Sequence, residues 1–174
     1  MQTVDDELER LSQPPPERTT LTVETLMQPL ERLLSKPAIS VNVGATVQDA
    51  VEEMRRRGYG AICVTEQGRL VGIVTERDLV LRVVGPVSDF TKLKVREVMT
   101  PDPMSLRKED PIVYVMHNMQ AGGYRHVPIV DEDDRPVSIA SIKDVVRFVV
   151  DHFATEILNL PPQPYRGPKR REGA

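Results

Sequence analysis

Two short segments carry residue types that could hold a hydroxylated or phosphorylated small molecule. The first reads Gly72-Ile73-Val74-Thr75-Glu76-Arg77-Asp78 and the second Ser138-Ile139-Ala140-Ser141-Ile142-Lys143-Asp144. Each sets a short apolar run ahead of Ser/Thr-x-x-Asp, the pattern of a strand that feeds a helix. At such a junction the hydroxyl accepts a backbone N–H, and the Asp three residues on meets the remaining free donors at the positive end of the helix dipole. Helix capping alone accounts for the pattern. The same geometry offers N–H groups, a hydroxyl and a carboxylate to a ligand, so it equally suits a phosphate and the two hydroxyls of a ribose. Both readings stand at this level.

Other chemistry lacks its usual parts. No Walker-type phosphate loop, Rossmann glycine fingerprint, G-x-S-x-G or H-E-x-x-H is present, so neither nucleotide hydrolysis nor acyl transfer nor a zinc protease has its signature. The histidines His117, His126 and His152 fall on separate predicted elements, and no Cys/His cluster is available to zinc. His126 reads as a half-buried strand histidine or a phosphate contact before it reads as a metal ligand. The run Asp131-Glu132-Asp133-Asp134 suits a solvated hairpin turn better than a calcium loop. No catalytic residue and no metal site are assigned.

The elements that position the two junctions are themselves duplicated. Met54, Gly58 and Tyr59 recur as Met119, Gly123 and Tyr124 at one spacing, and Thr46 corresponds to Pro111. Val71, Ile73 and Asp78 recur as Val137, Ile139 and Asp144 with one residue added in the turn between. Upstream, Val23, Met27 and Pro29 echo Val95, Met99 and Pro101 as V-x-x-x-M-x-P. This last alignment leaves residues 30 to 36 as an extra segment of the first copy, either a helix extension or a short turn.

Each copy alternates as a strand (Ile39–Val43; Met104–Leu106), turns to helical spacing (Val47–Met54; Ile112–Gln120) and stops at a glycine. Two apolar runs joined by a turn follow (Ala61–Thr65 and Leu70–Val74; Val127–Val130 and Val137–Ala140), then a second helix from Glu76 or Ile142. The unit is β-α-β-β-α. One such unit buries too little apolar surface alone, so an α+β fold is expected in which two units pack sheet against sheet as one pseudo-symmetric module.

Composition agrees with a folded binding module. Hydrophobic residues make up 40% and charged residues 28% of 174, with no Trp and three Phe, so the core must be aliphatic. A net charge of −3 argues against general nucleic-acid or anionic-membrane binding. Cys63 is the lone cysteine and sits in an apolar run, which predicts a buried, inert thiol and a reducing compartment. The start, MQTVDDELER, has neither the basic residues nor the apolar stretch of a secretory signal, and no run approaches a membrane span. A cytoplasmic protein is expected. The expected organisation is a flexible arm over 1–20, a first repeat with a lead-in helix over 21–90, a second repeat over 91–152, and a Pro-rich, basic tail over 153–174.

The repeat order, the segments G-I-V-T-E-R-D-L and S-I-K-D-V, and Gly-Tyr-Arg-His-Val-Pro-Ile-Val at 123–130 resemble a tandem pair of CBS domains, or Bateman module, over about residues 22 to 150. The resemblance implies a non-enzymatic sensor that needs no cofactor and binds AMP, ADP, ATP, NAD or S-adenosylmethionine in clefts between the repeats. It implies ribose contacts from Asp78 and Asp144 and ribose or phosphate contacts from Thr75 and Ser141, with Arg77 and Lys143 beside them. Backbone near Ile39, Ser40, Val41, Met104 and Ser105 would read the adenine. Tyr59 and Ala61 in one copy, and Tyr124, Arg125, His126, Val127 and Pro128 in the other, would complete the clefts, with Arg125 and His126 on phosphates.

The first copy has Gly60-Ala61 where the second has Arg125-His126, and the second has Ser138 where the first has Gly72. The two clefts are therefore expected to differ, Ser138 crowding one of them if glycine serves close approach of a ligand. The resemblance further implies a homodimer formed through exposed helices, with Leu79, Val83, Val146 and Val149 as candidate contacts, and a separate, unidentified protein partner. Two other readings remain: a ligand-free interaction scaffold with the same fold, and a small nucleotide-acting enzyme, for which no base or activated water is evident.

Overall fold

The protein is described by a computed structural model over residues 22–86 and 89–152; the expected arm and tail lie outside the described residues. A single helical turn, α1 (Val23–Leu26), opens the fold, its first turn closed by the Thr22 hydroxyl, which accepts from Thr25 N–H at 3.2 Å. The first repeat then runs β1 (Ser40–Asn42), α2 (Val47–Arg57), β2 (Ala61–Glu66), β3 (Arg69–Thr75) and a helical segment α3 (Glu76–Asp78) that continues as a π-turn over Leu79–Val83. Thr46 and Asp49 form a capping box at the start of α2, and Gly58 ends it in the left-handed conformation at φ 68°, where a side chain would be strained.

The second repeat follows a two-residue strand β4 (Thr100–Pro101) with β5 (Leu106–Arg107), α4 (Ile112–Gly122), β6 (His126–Val130), β7 (Pro136–Ser141) and α5 (Ile142–His152). Pro111 stands at the N-cap of α4 as Thr46 does for α2, and Gly123 ends it at φ 66°. The strands form one four-stranded sheet ordered β1-β2-β3-β4 and one three-stranded sheet ordered β5-β6-β7. In each, the first pair is parallel and the hairpin antiparallel, and β3 lies against β6 where the sheets meet. The β-α-β-β-α unit and the paired-sheet α+β architecture are thus those expected.

The lead-in segments are exchanged between the repeats. Leu30 and Leu33, which precede the first repeat, are buried in the core of the second with Ile112, Val115, Val127 and Ile129. Val95 and Val98, which precede the second, are buried in the core of the first with Val47, Ile62, Val64 and Val74. The backbone repeats the exchange: Leu30 N–H donates to Asp110 O at 2.8 Å, and Val95 N–H to Ala45 O at 3.0 Å. Strand β4 adds to β3 through Gly72 and Ile73, while Pro37 bridges Ser138 of β7. Each repeat therefore lacks part of its core and a sheet edge without the other.

This exchange corrects the upstream alignment. Leu30–Arg32 and Val95–Glu97 are both single 3-10 turns, so Leu30, not Val23, is the counterpart of Val95. The turn at Leu30–Arg32 is therefore shared by the second copy and is not an extra segment of the first. The second helices also differ. Helix α5 is regular, whereas the chain after Asp78 widens into a π-turn closed by Val84 N–H donating to Leu79 O at 2.9 Å, a local widening common near functional positions. The exposed apolar side chains there are Val80, Leu81 and Val84, while Val83 is buried and Leu79 packs on the core.

Candidate functional site

Both junctions form the capping box, and each uses one carboxylate oxygen to do it. Asp78 Oδ2 accepts from Thr75 N–H at 2.9 Å and Thr75 Oγ1 at 2.6 Å. Asp144 Oδ2 accepts from Ser141 N–H at 2.9 Å and Ser141 Oγ at 2.5 Å. Each Asp backbone N–H donates back to the hydroxyl at 3.3 Å. The second oxygen, Oδ1, is not needed by the cap, so capping and ligand binding are compatible on one side chain.

The two Oδ1 atoms have different partners. Asp144 Oδ1 accepts from Ser35 Oγ at 3.0 Å and from Arg147 Nη2 at 2.7 Å. Burial alone would push this carboxyl up, but the hydrogen bonds from Ser141, Ser35 and Arg147 together hold it below the usual carboxylate value. Asp78 Oδ1 has Arg82 at 3.5 Å, and that guanidinium spends its short hydrogen bonds on Val98 O at 2.6 Å and Met99 O at 2.9 Å. Where α5 offers Arg147 three residues after its Asp, the first copy has Leu81, 69% exposed. Asp78 Oδ1 is thus the more weakly held of the two, paired with Arg82 Nη2 while Nη1 of the same guanidinium bonds the carbonyls.

A cavity of about 270 Å³ is lined by Thr75, Arg77 and Asp78 of the first repeat and by Met104, Tyr124, Arg125 and His126 of the second. A second cavity of about 610 Å³ pairs Ser141, Lys143 and Asp144 with Tyr59, Gly60 and Ala61. Each cleft thus takes its Asp from one copy and its opposite wall from the other. Gly60, Glu76, Arg125 and His126 border both. The reason lies in the backbone: Glu76 N–H donates to Gly60 O, and Ile142 N–H to Arg125 O, both at 3.0 Å. These bonds bring the start of each hairpin beside the helix that follows it, at the waist between the clefts.

A family model for the CBS domain matches residues 30–85 and 95–151. The chain belongs to the CBS domain family. The two matched segments begin at Leu30 and Val95, the pair that the exchanged turns make equivalent. Among curated relatives, the mitochondrial CBS domain-containing protein CBSX3 of Arabidopsis thaliana is 32% identical over 120 residues, 66% of this chain and 58% of its own. The CBSCBSPB5 protein of the same plant is 28% identical, and the aligned region there is 25% of that longer protein. The CBS domain pair of MJ0100 in complex with 5′-methylthioadenosine and S-adenosyl-L-methionine superposes with a TM-score of 0.65 at 23% identity, covering 72% of this chain and 98% of that one. PAE2072 of Pyrobaculum aerophilum, complexed with AMP, superposes with 0.64 at 22% identity, covering 72% and 98%.

Within this CBS pair the expected site residues divide. Thr75, Arg77, Asp78, Met104 and Tyr124 line the first cleft, and Tyr59, Ala61, Ser141, Lys143 and Asp144 the second. Arg125 and His126 line both. Burial and Arg125 push the His126 imidazole down from its ordinary value, against Glu76 and Asp144, so its neutral form is favoured. Ile39, Ser40, Val41, Ser105, Val127 and Pro128 line neither cavity. Ile39, Val127 and Pro128 are core, and the Ile39 carbonyl is taken by Cys63 N–H at 3.0 Å.

Ser138 does not crowd a cleft either. It is buried, and its hydroxyl donates to Lys36 O at 2.7 Å. At Gly72 an added Cβ would collide with the Met99 side chain, so the glycine admits the neighbouring lead-in segment and not a ligand. Ser35 and Lys36 were not legible as wall residues, because only the tertiary exchange brings them there; Arg147, three residues from Asp144, was in reach of helical spacing. Cys63 is buried, and desolvation pushes its thiol up to about 12, which fits an inert side chain. Among the described residues no cluster of side chains suits a metal ion, and no helix is long and apolar enough to cross a membrane.

Proposed function

We propose that this chain is a non-catalytic regulatory module that binds an adenosine-containing ligand in the cleft of Asp78. The observation that carries the reading is Asp78, whose Oδ1 lies outside the cap and is held only by Arg82 at 3.5 Å, on the wall of a cavity that Thr75, Arg125 and His126 also line. A carboxylate oxygen so placed accepts from both ribose hydroxyls, while Arg77 and Arg125 meet a phosphate. AMP in PAE2072, and methylthioadenosine and S-adenosylmethionine in MJ0100, support this ligand class; ADP, ATP and NAD share the adenosine. We assign the signal to a shift between two packings of the repeats, read by a separate protein.

The module pairs with itself. Val80, Leu81 and Val84 after Asp78, and Ile142 and Val146 on α5, are exposed apolar side chains on the two repeat-terminal helices, and they replace Leu79 and Val83 as the candidate contacts of the first helix. Sedimentation velocity should give the mass of a dimer. A cytoplasmic, reducing setting agrees with the single buried thiol of Cys63.

A thermal-shift series with AMP, ADP, ATP, NAD and S-adenosylmethionine tests the ligand. At about 100 times Kd a bound ligand adds roughly 2.7 kcal/mol, and Asp78→Asn should remove the shift. Unchanged melting with all five would instead favour a ligand-free scaffold.

A further inference from the structure

Part of the wall of the first cleft comes from the lead-in of the second repeat, through Thr100, Asp102, Pro103 and Met104. Its one charged side chain is Asp102. This residue stands between Pro101 and Pro103 at φ 44°, a left-handed conformation that Asp and Asn tolerate better than most side chains. Its N–H donates to Val71 O at 3.1 Å, and the flanking prolines have fixed φ, so the backbone sets its place on the wall. Asp89, Asp110 and Asp131 each accept a backbone N–H two or three residues away and so close a turn. Among the described residues the Asp102 carboxylate accepts none, so turn closure does not account for its charge.

The charged residues that line this cleft are Glu76, Asp78 and Asp102 against Arg77 and Arg125, with His126 held toward its neutral form by burial and by Arg125. One phosphate met by Arg77 and Arg125 uses both cations, and a ribose takes Asp78. A second or third phosphate then meets Glu76 and Asp102 with no lining cation left to offset them, and like charges at short range repel. The cleft is also the smaller, about 270 Å³ against about 610 Å³. The second cleft has no such carboxylate. The equivalence of Leu30 and Val95 sets Pro37 against Asp102, and that lead-in brings Lys36 to the wall instead.

We propose that Asp102 is a specificity residue of the Asp78 cleft, which admits adenosine ligands with one phosphate or none and disfavours a longer phosphate tail. This selectivity rests on the adenosine reading of the cleft and narrows it. AMP and S-adenosylmethionine fall inside the class; ADP, ATP and the pyrophosphate of NAD fall outside it.

Calorimetric titration of the full chain with AMP, ADP and ATP, without divalent cations, tests the selectivity. Wild type should bind AMP on the order of tenfold more tightly than ATP, with ADP between them. Asp102→Asn keeps a residue suited to the left-handed backbone, so it should leave the ligand-free melting temperature in place and close most of the gap by tightening ATP. Raising salt should narrow the gap in wild type and act less in the variant. The ATP binding gained should disappear in Asp78→Asn/Asp102→Asn. Equal wild-type affinities for AMP and ATP, a gap that Asp102→Asn leaves in place, or ATP binding that survives in the double variant would overturn the selectivity; AMP binding lost in Asp78→Asn would still uphold the adenosine reading. Absence of AMP binding to wild type would overturn that reading, and the selectivity with it.

Discussion

Asp78 and Asp144 show how one motif yields two different surroundings. Both cap a helix through Oδ2, and the neighbours of Oδ1 decide the rest. Removing two charge-assisted bonds to ribose should cost about 3 kcal/mol, on the order of a 100-fold loss of adenosine affinity in Asp78→Asn. Asp144 answers to pH instead. Its folded carboxyl titrates below the ordinary 3.8, so the unfolded chain binds the proton first, and the stability it contributes is present above 3.8 and lost as pH falls through the folded value. Acid unfolding followed by circular dichroism should therefore flatten in this window in Asp144→Asn, whereas an unchanged profile would remove Asp144 as its source. The Ser/Thr-x-x-Asp pairs were legible because helix capping is local. The inequality between them was not, since Ser35 reaches Asp144 across the exchanged lead-in and Arg82 turns to the Val98 and Met99 carbonyls.

At the scale of elements, alternation and capping named every strand of the two hairpins and the helices α2, α4 and α5, because period and end signals are written within a few residues. Strand β4 escaped notice. It has two residues, Thr100 and Pro101, and exists only through its pairing with Ile73 and Gly72. The π-turn after Asp78 was likewise invisible, as the apolar spacing of Leu79 and Val83 fits a helix of either width. The close approach at β4 makes Gly72 a test of the element. Gly72→Ala should destabilise the fold by about 1–3 kcal/mol through overpacking on Met99, and Met99→Ala should recover part of that loss in the double variant. Equal destabilisation with and without the Met99 side chain, measured by chemical denaturation, would show that the contact is not what the glycine serves.

For the whole molecule, duplication foretold two repeats packed together, and the exchange of Leu30 and Leu33 for Val95 and Val98 makes them one folding unit. Leu30 is fully buried in the core of the repeat to which it does not belong in sequence. Leu30→Ala should cost about 2–5 kcal/mol, and it should lower a single cooperative transition rather than split one repeat from the other. A two-step melt would contradict the interlock. The same pseudo-symmetry sets each Asp against the other copy's hairpin and leaves Arg125 and His126 bordering both clefts. The central claim is that only the Asp78 cleft accepts adenosine, and titration calorimetry with AMP tests it most directly. One site per chain, abolished by Asp78→Asn and retained in Asp144→Asn, is the predicted result; heat that survives in Asp78→Asn and vanishes in Asp144→Asn, or no binding to the wild-type chain, would contradict it.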